Sequence, residues 1–282
     1  MPGRVVIYSM VLPAVVGLEA IARAQGYEPV AVIVPRLRDD ADAGSRERFC
    51  DLVARAPAGL DVCVADAKSG LERMTRMYEP RLGLCIGYRW RIPPEVLAIP
   101  ELGIVNGHPS VLPRHRGPYP FAWAVRERDS ELGLTFHLMD DDFDTGPLLA
   151  QGLRPMPEEA NFPALQPLLA ELAQELLPQA LARLEAGDRG DAQSDDRATY
   201  AGAFGDDYRH VDWAQPAAEI HRQVCAWSFH FEAGSAGPLA EIDGQTVRLV
   251  TTSLTDPRDG TLRMDTGDGP LWIIEAEPIV SR

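Results

Sequence analysis

Between residues 4 and 86, short apolar runs alternate with helix-patterned stretches, and this cadence does most to limit what the chain can fold into. Apolar runs fall at residues 5–8, 30–34, 61–65 and 82–86, with helical patterns over residues 15–25 and 71–78 between them. Short, nearly continuous apolar runs are what strands covered on both faces look like. Strands separated by helices join one sheet through crossovers, so the reading is an α/β fold with a Rossmann-like, mostly parallel sheet. No Gly-x-Gly-x-x-Gly follows the first run and no Walker loop occurs anywhere, so neither a nicotinamide nor a nucleoside triphosphate cofactor is supported.

A further apolar run at residues 102–105 leads into Asn106-Gly107-His108-Pro109-Ser110. In extended chain, Asn106 and His108 project to the same side. Gly107 adds no side chain between them, and Pro109 biases His108 towards extended dihedrals. An amide and an imidazole held side by side supply a donor for a developing oxyanion and a group that exchanges protons near neutral pH.

Residues 133–139 alternate Leu134, Phe136 and Leu138 against Thr135, His137 and Met139, as a strand does, and run into Asp140-Asp141-Asp142-Phe143-Asp144. Four carboxylates so close repel one another unless a donor network or cation meets them. Asp144 beside His108 answers that need and would orient the ring. A calcium loop with Asp140, Asp142 and Asp144 as alternate ligands fails, because Thr145 stands where the turn needs Gly and Gln151 where a bidentate Glu is needed.

The segments 106–117, 133–140 and 144–149 together resemble the signature of the 10-formyltetrahydrofolate-dependent formyltransferases, a family that includes enzymes acting on methionyl-tRNA, glycinamide ribonucleotide and amino sugars. The resemblance implies that Asn106, His108 and Asp144 are the catalytic trio, that 10-formyltetrahydrofolate is the co-substrate, and that no metal takes part. It further implies that Gly87-Tyr88-Arg89-Trp90-Arg91-Ile92 lines the folate pocket. Tyr88, Trp90, Arg91 and Ile92, with His137, Asp140 and Asp142, are the expected cofactor contacts. Arg114, Arg116 and Tyr119 are the expected acceptor contacts.

Residues 119–128 read as a helix with Pro120 in its first turn, and residues 161–186 as a long one opened by Asn161. Residues 188–204 are polar and Gly-bearing, and divide a catalytic domain, 1–187, from a C-terminal domain, 205–282. In the latter a helix over residues 217–227 precedes short strands at 240–242, 245–252, 262–264 and 271–276. Asp243-Gly244 and Asp268-Gly269 serve as hairpin turns. That pattern suggests a small OB-like β-barrel, and the segment 206–224 resembles the C-terminal domain of the tRNA-formylating members.

Charge bears on the acceptor. The chain carries a formal charge of −15, and residues 205–282 hold thirteen acidic residues against six arginines. That is the wrong sign for a tRNA clamp. Family members that act on tRNA carry a basic inserted loop after the second strand. Here Arg36, Arg38, Arg46 and Arg48 are balanced by Asp39, Asp40, Asp42 and Glu47, and Cys225 falls where those members tend to carry a basic residue. The expected acceptor is therefore a small or carrier-borne amine rather than tRNA. The family's formylfolate hydrolase carries an added N-terminal regulatory domain, which this sequence does not show before its first run. Hydrolysis and simple folate binding are the rival activities. No secretory leader or apolar stretch long enough to span a bilayer is visible, and Cys50, Cys63, Cys85 and Cys225 form no Cys-x-x-Cys pair. A cytoplasmic enzyme with reduced thiols is the expectation; the oligomeric state is not legible.

Overall fold

The apolar runs become strands in the computed structural model, which describes residues 3–39, 41–157, 159–230, 237–258 and 260–279. Asp40, weighed above in the charge balance, lies outside the described residues. In chain order the elements are β1 (Arg4–Tyr8), α1 (Leu12–Ala24), β2 (Glu28–Pro35), α2 (Ala43–Arg55), β3 (Asp61–Ala65), α3 (Lys68–Tyr78), β4 (Leu82–Cys85), α4 (Pro94–Leu97), β5 (Ile104–His108), α5 (Pro120–Arg126), β6 (Glu131–Leu138), β7 (Leu148–Pro155) and α6 (Phe162–Glu185). There follow α7 (Ala217–Trp227), β8 (Leu239–Ile242), β9 (Gln245–Ser253), β10 (Leu262–Asp265) and β11 (Pro270–Pro278).

They form two units, the first made of residues 1–117, 131–155 and 166–200, the second of 118–130, 156–165 and 201–282. The first holds one seven-stranded sheet in the order β3-β2-β1-β4-β5-β6-β7. The strands β1 to β5 are parallel, while β6 runs antiparallel to β5 and β7 antiparallel to β6. Strand order reverses direction between β1 and β4, where α/β sheets leave a ligand crevice at their strands' C-terminal ends, and β5 lies next to β4. The sheet core is Val5, Ile7, Val32, Val34, Leu84 and Val105, buried against α1 and α6. Leu172, Leu176, Leu177 and Leu181 of α6 are each at most 3% exposed, each burial contributing about 2 kcal/mol. This packing carries the helix through Pro167 and Pro178, which isolated chain would not tolerate. Asn161 caps it, accepting from the Ala164 N–H at 3.0 Å.

Three elements were not anticipated, the first being the one-turn helix α4 after Pro93. The helix α2 starts at its cap Asp42, whose Oδ1 accepts from the Ser45 N–H at 2.8 Å, and it takes in residues 43–48 of the stretch whose charges were weighed above. The strand β7 pairs along all of β6, and its exposure alternates because only one face is covered. Residues 191–200, expected within the linker, return to the first unit, where Asp191 and Leu148 exchange backbone hydrogen bonds of 2.8 and 2.9 Å.

The second unit contains an antiparallel four-stranded sheet in the order β10-β11-β9-β8, a curled half-barrel of OB-like kind. The turn Asp243-Gly244 joins β8 to β9 with both residues at positive φ, as a tight hairpin requires. Its core joins Ile220 and Val224 of α7 to Leu249, Leu271 and Ile273.

Candidate active site

The strand β5 delivers Asn106 and His108 to one side, as their spacing predicts. Gly107 is required on the other face, because a Cβ there would lie 2.8 Å from Ile86 Cδ1 and 2.9 Å from Phe136 Cε1. Asn106 pairs in register with His137 of β6, which places the two side chains together. Beyond β6 the loop turns back, and Asp144 enters the left-handed region at φ 57°.

Asp144 Oδ1 is the point of convergence. Asn106 Nδ2 lies 3.3 Å from it, His108 Nδ1 3.4 Å and His137 Nε2 3.6 Å. Its Oδ2 accepts from the Gly117 N–H at 2.8 Å. Carbonyl oxygens only accept, so His108 carries a proton on Nε2, donated to the His115 carbonyl at 2.8 Å, and His137 one on Nδ1, towards the Leu138 carbonyl at 3.0 Å. His137 Nε2 then accepts from Asn106 Nδ2 at 3.1 Å. The amide is thereby oriented with its nitrogen towards both histidine and carboxylate.

This network sets the protonation states. Burial depresses the pKa of His108 below its ordinary value, opposed by Asp144 and the His115 carbonyl. Burial would raise Asp144, but the His108 and His137 rings and the Gly117 N–H outweigh it and hold the carboxyl at about 2. Asp144 is thus the ionised member at neutral pH. His108 turns its Nδ1 to that carboxylate at 3.4 Å, an arrangement that takes up one proton between them.

Supports come from residues without a signal of their own. Thr135 is fully buried, donates to the Ser110 carbonyl at 2.7 Å and accepts from Gln151 Nε2 at 2.8 Å and the Leu112 N–H at 3.3 Å. These bonds fix the segment that carries His115, itself at φ 57°. Thr135 shares the strand phase of His137, the one hint that could have singled it out. Gln193 bonds to the carbonyls of Asp144 and Gly146, and no local pattern marks it.

The other expected contacts are dispersed. Tyr88 and Trp90 are half-buried and pack with Tyr8, Cys85 and Ile92 beside the C-terminal end of β4. The Tyr88 hydroxyl is buried and has no hydrogen-bond partner among the described residues. The Ile92 side chain is 1% exposed, and Arg91 lies in solvent. Asp140 accepts from the Thr145 hydroxyl and the Asp142 N–H, and Asp142 from the Phe143 N–H, so both shape the exposed loop before Asp144. Arg116 is committed to Gln193 and Asp195, whereas Arg114 Nη2 faces His115 Nε2 at 3.3 Å. Tyr119 belongs to the second unit, where its ring stacks on His230 at 4.1 Å. The cysteines are free thiols, and among the described residues no helix is long and apolar enough to cross a membrane.

The sequence profile described as formyl transferase matches residues 63–181, which span β3 to most of α6. The methionyl-tRNA formyltransferase of Roseiflexus sp. (strain RS-1) is 33% identical over 283 residues, covering 96% of this chain and 84% of that protein. The methionyl-tRNA formyltransferase of Synechococcus sp. (strain JA-2-3B'a(2-13)) is 37% identical over 169 residues, covering 60% of this chain and only 50% of the relative, about half its length. HypX from Aquifex aeolicus, solved in complex with tetrahydrofolic acid, superposes with a TM-score of 0.74 at 18% identity, over 99% of this chain and 44% of that one, which is a likeness of fold. Because the Roseiflexus protein is 33% identical over nearly the whole of this chain and most of its own length, the chain belongs to the formyl transferase family.

Proposed function

We propose that the protein transfers the formyl group of 10-formyltetrahydrofolate to an amine. The observation that carries the reading is the convergence of Asn106, His108 and His137 on an ionised, buried Asp144. The folate supplies an activated formyl group on nitrogen. Tyr88 and Trp90 suit its flat ring, and the orphaned Tyr88 hydroxyl is a polar atom in want of a ligand.

The residues divide the work. An attacking amine must lose a proton as it bonds to the formyl carbon, and the His108–Asp144 pair receives it, with charge developing on the ring beside the carboxylate. The oxyanion formed at the same moment is met by the Asn106 amide and by His108 once protonated. Asn106 meets it by redirecting one N–H from His137 or Asp144, both of which it bonds at rest. His108 then returns the proton to the departing nitrogen.

For the acceptor we favour a small or carrier-borne amine, on the formal charge of −15. The names of the two relatives give that argument no support, and they favour a second reading in which the amine is that of methionyl-tRNA. Cytoplasmic action accords with the nature of the co-substrate. The experiment is formyl release from 10-formyltetrahydrofolate, followed spectroscopically with a panel of amines that includes charged methionyl-tRNA. Turnover on a small amine supports the first reading, and turnover only on methionyl-tRNA the second. Release without any acceptor means hydrolysis, and binding without release a folate-binding protein.

A further inference from the structure

We propose that Gln193 is a positioning residue for Asp144 and that Arg116 acts through it. The inference rests on the formyl-transfer reading above for its kinetic consequences, but on geometry for its substance. The exchange of backbone bonds between Leu148 and Asp191 lays the returning chain along the first unit, and Gln193 follows two residues later. Its Nε2 donates to the Asp144 carbonyl at 2.9 Å and to the Gly146 carbonyl at 2.7 Å. Its Oε1 accepts from Arg116 Nε at 3.2 Å and Nη2 at 2.9 Å.

The orientation of this amide is not open to a flip. A guanidinium only donates and a carbonyl only accepts, so oxygen must face Arg116 and nitrogen must face the loop. Arg116 is itself fixed, with Nη1 on Asp195 Oδ1 at 2.9 Å and its backbone N–H on the Thr199 carbonyl at 2.9 Å. The next residue, Gly117, gives its N–H to Asp144 Oδ2. Asp144 is therefore gripped at both ends from one short segment, its carbonyl through Gln193 and its carboxylate directly.

The grip has work to do. A residue other than glycine at φ 57° lies in a region that costs about 1 kcal/mol, and the exposed loop before it is shaped by hydrogen bonds to its own Asp140 and Asp142. Released at its carbonyl, Asp144 can relax, and the carboxylate leaves the three nitrogens it serves.

The test uses Gln193→Ala and Gln193→Glu in the full chain. The glutamate keeps the partner of Arg116 and the volume but replaces the donor to the two carbonyls by an acceptor. Both variants should lower kcat by about tenfold to a hundredfold, with KM for the folate within about threefold and little change in Tm. A glutamate variant with wild-type kcat would make the role one of packing and overturn the proposal, also where the alanine variant fails to fold. In an Asp144→Asn background, Gln193→Ala should cost less than about twofold, because it acts through the carboxylate already lost; additive effects overturn the proposal. One readout is free of activity. The His108 imidazole titration followed by NMR should move to lower pH in Gln193→Ala as the carboxylate withdraws, and an unmoved titration overturns the inference. An inactive wild type would remove the formyl-transfer reading alone, since the titration still decides this one.

Discussion

Replacing Gly146 by alanine tests how tightly the loop that carries Asp144 is seated. Gly146 is buried, and its φ lies outside the left-handed region, so the substitution carries a steric cost and no conformational one. A Cβ at this position would stand 1.7 Å from the Leu138 carbonyl oxygen and 2.9 Å from its carbon. An ordinary carbon–oxygen contact is about 3.4 Å, so the two chains must part by well over 1 Å. Neither can give easily, since the Leu138 N–H donates to the Pro147 carbonyl at 3.0 Å and the Gly146 carbonyl is held by Gln193. The strain of forcing them apart should cost about 3 kcal/mol and lower Tm by several degrees. Asp144, two residues away, is displaced with the loop, and a shift of about 1 Å at a reacting group is worth about a hundredfold in rate. Formyl transfer under saturating folate and acceptor is the assay, with calorimetry in parallel. Gly152→Ala is the control: its Cβ would meet only the flexible ends of Leu172 and Leu176 at 3.1 to 3.2 Å, and it should cost under about 1 kcal/mol. A Gly146→Ala enzyme within about twofold of wild-type kcat would refute the reasoning.

Asn106→Ala, His108→Ala and Asp144→Ala should each lower kcat by about tenfold to a thousandfold while circular dichroism stays native, and a folded variant with near-normal turnover would remove that residue from the trio. Thr135→Val leaves the Leu112 N–H without its buried acceptor and Gln151 Nε2 with one acceptor fewer, and should cost about 2 kcal/mol by denaturant titration, whereas Thr135→Ser should restore most of it. Burial lowers His230 from its ordinary value to about 4. The unfolded chain then binds the proton more readily, so stability is full above about pH 6.5 and is lost as pH falls towards 4, by at most about 3 kcal/mol. His230→Phe should flatten that slope in acid-unfolding titrations; an unchanged slope would assign the acid sensitivity elsewhere.

Much of the fold is legible because its repeats are local. The period of buried strands and helices put β1 to β4 and α6 where they are found, and Asp243-Gly244 marked its hairpin by chemistry that acts within two residues. What local reading missed has equally physical causes. The helix α2 is polar on most faces and buries only Ser45 and Leu52, so no apolar stripe marks it in the sequence. The strand β7 has one covered face and one wet one, so it lacks the continuous apolar run that marks β1 to β4. Arg116 looked like a cation offered to a substrate, and only the returning chain reveals Gln193 and Asp195 as its partners.

The sequence by itself pointed to the family and the sheet, and it put Asn106 and His108 on one side of a strand because strand geometry acts over three residues, while Asp144 was an expectation carried by the resemblance. Only the tertiary structure decided how these groups are charged and held. His108 and Asp144 are thirty-six residues apart, His115 turns its carbonyl to the ring, and Gln193 arrives from beyond α6 to close on the loop. Protonation depends on burial and on neighbours within a few ångströms, and a linear order of residues does not contain those distances until the chain has folded.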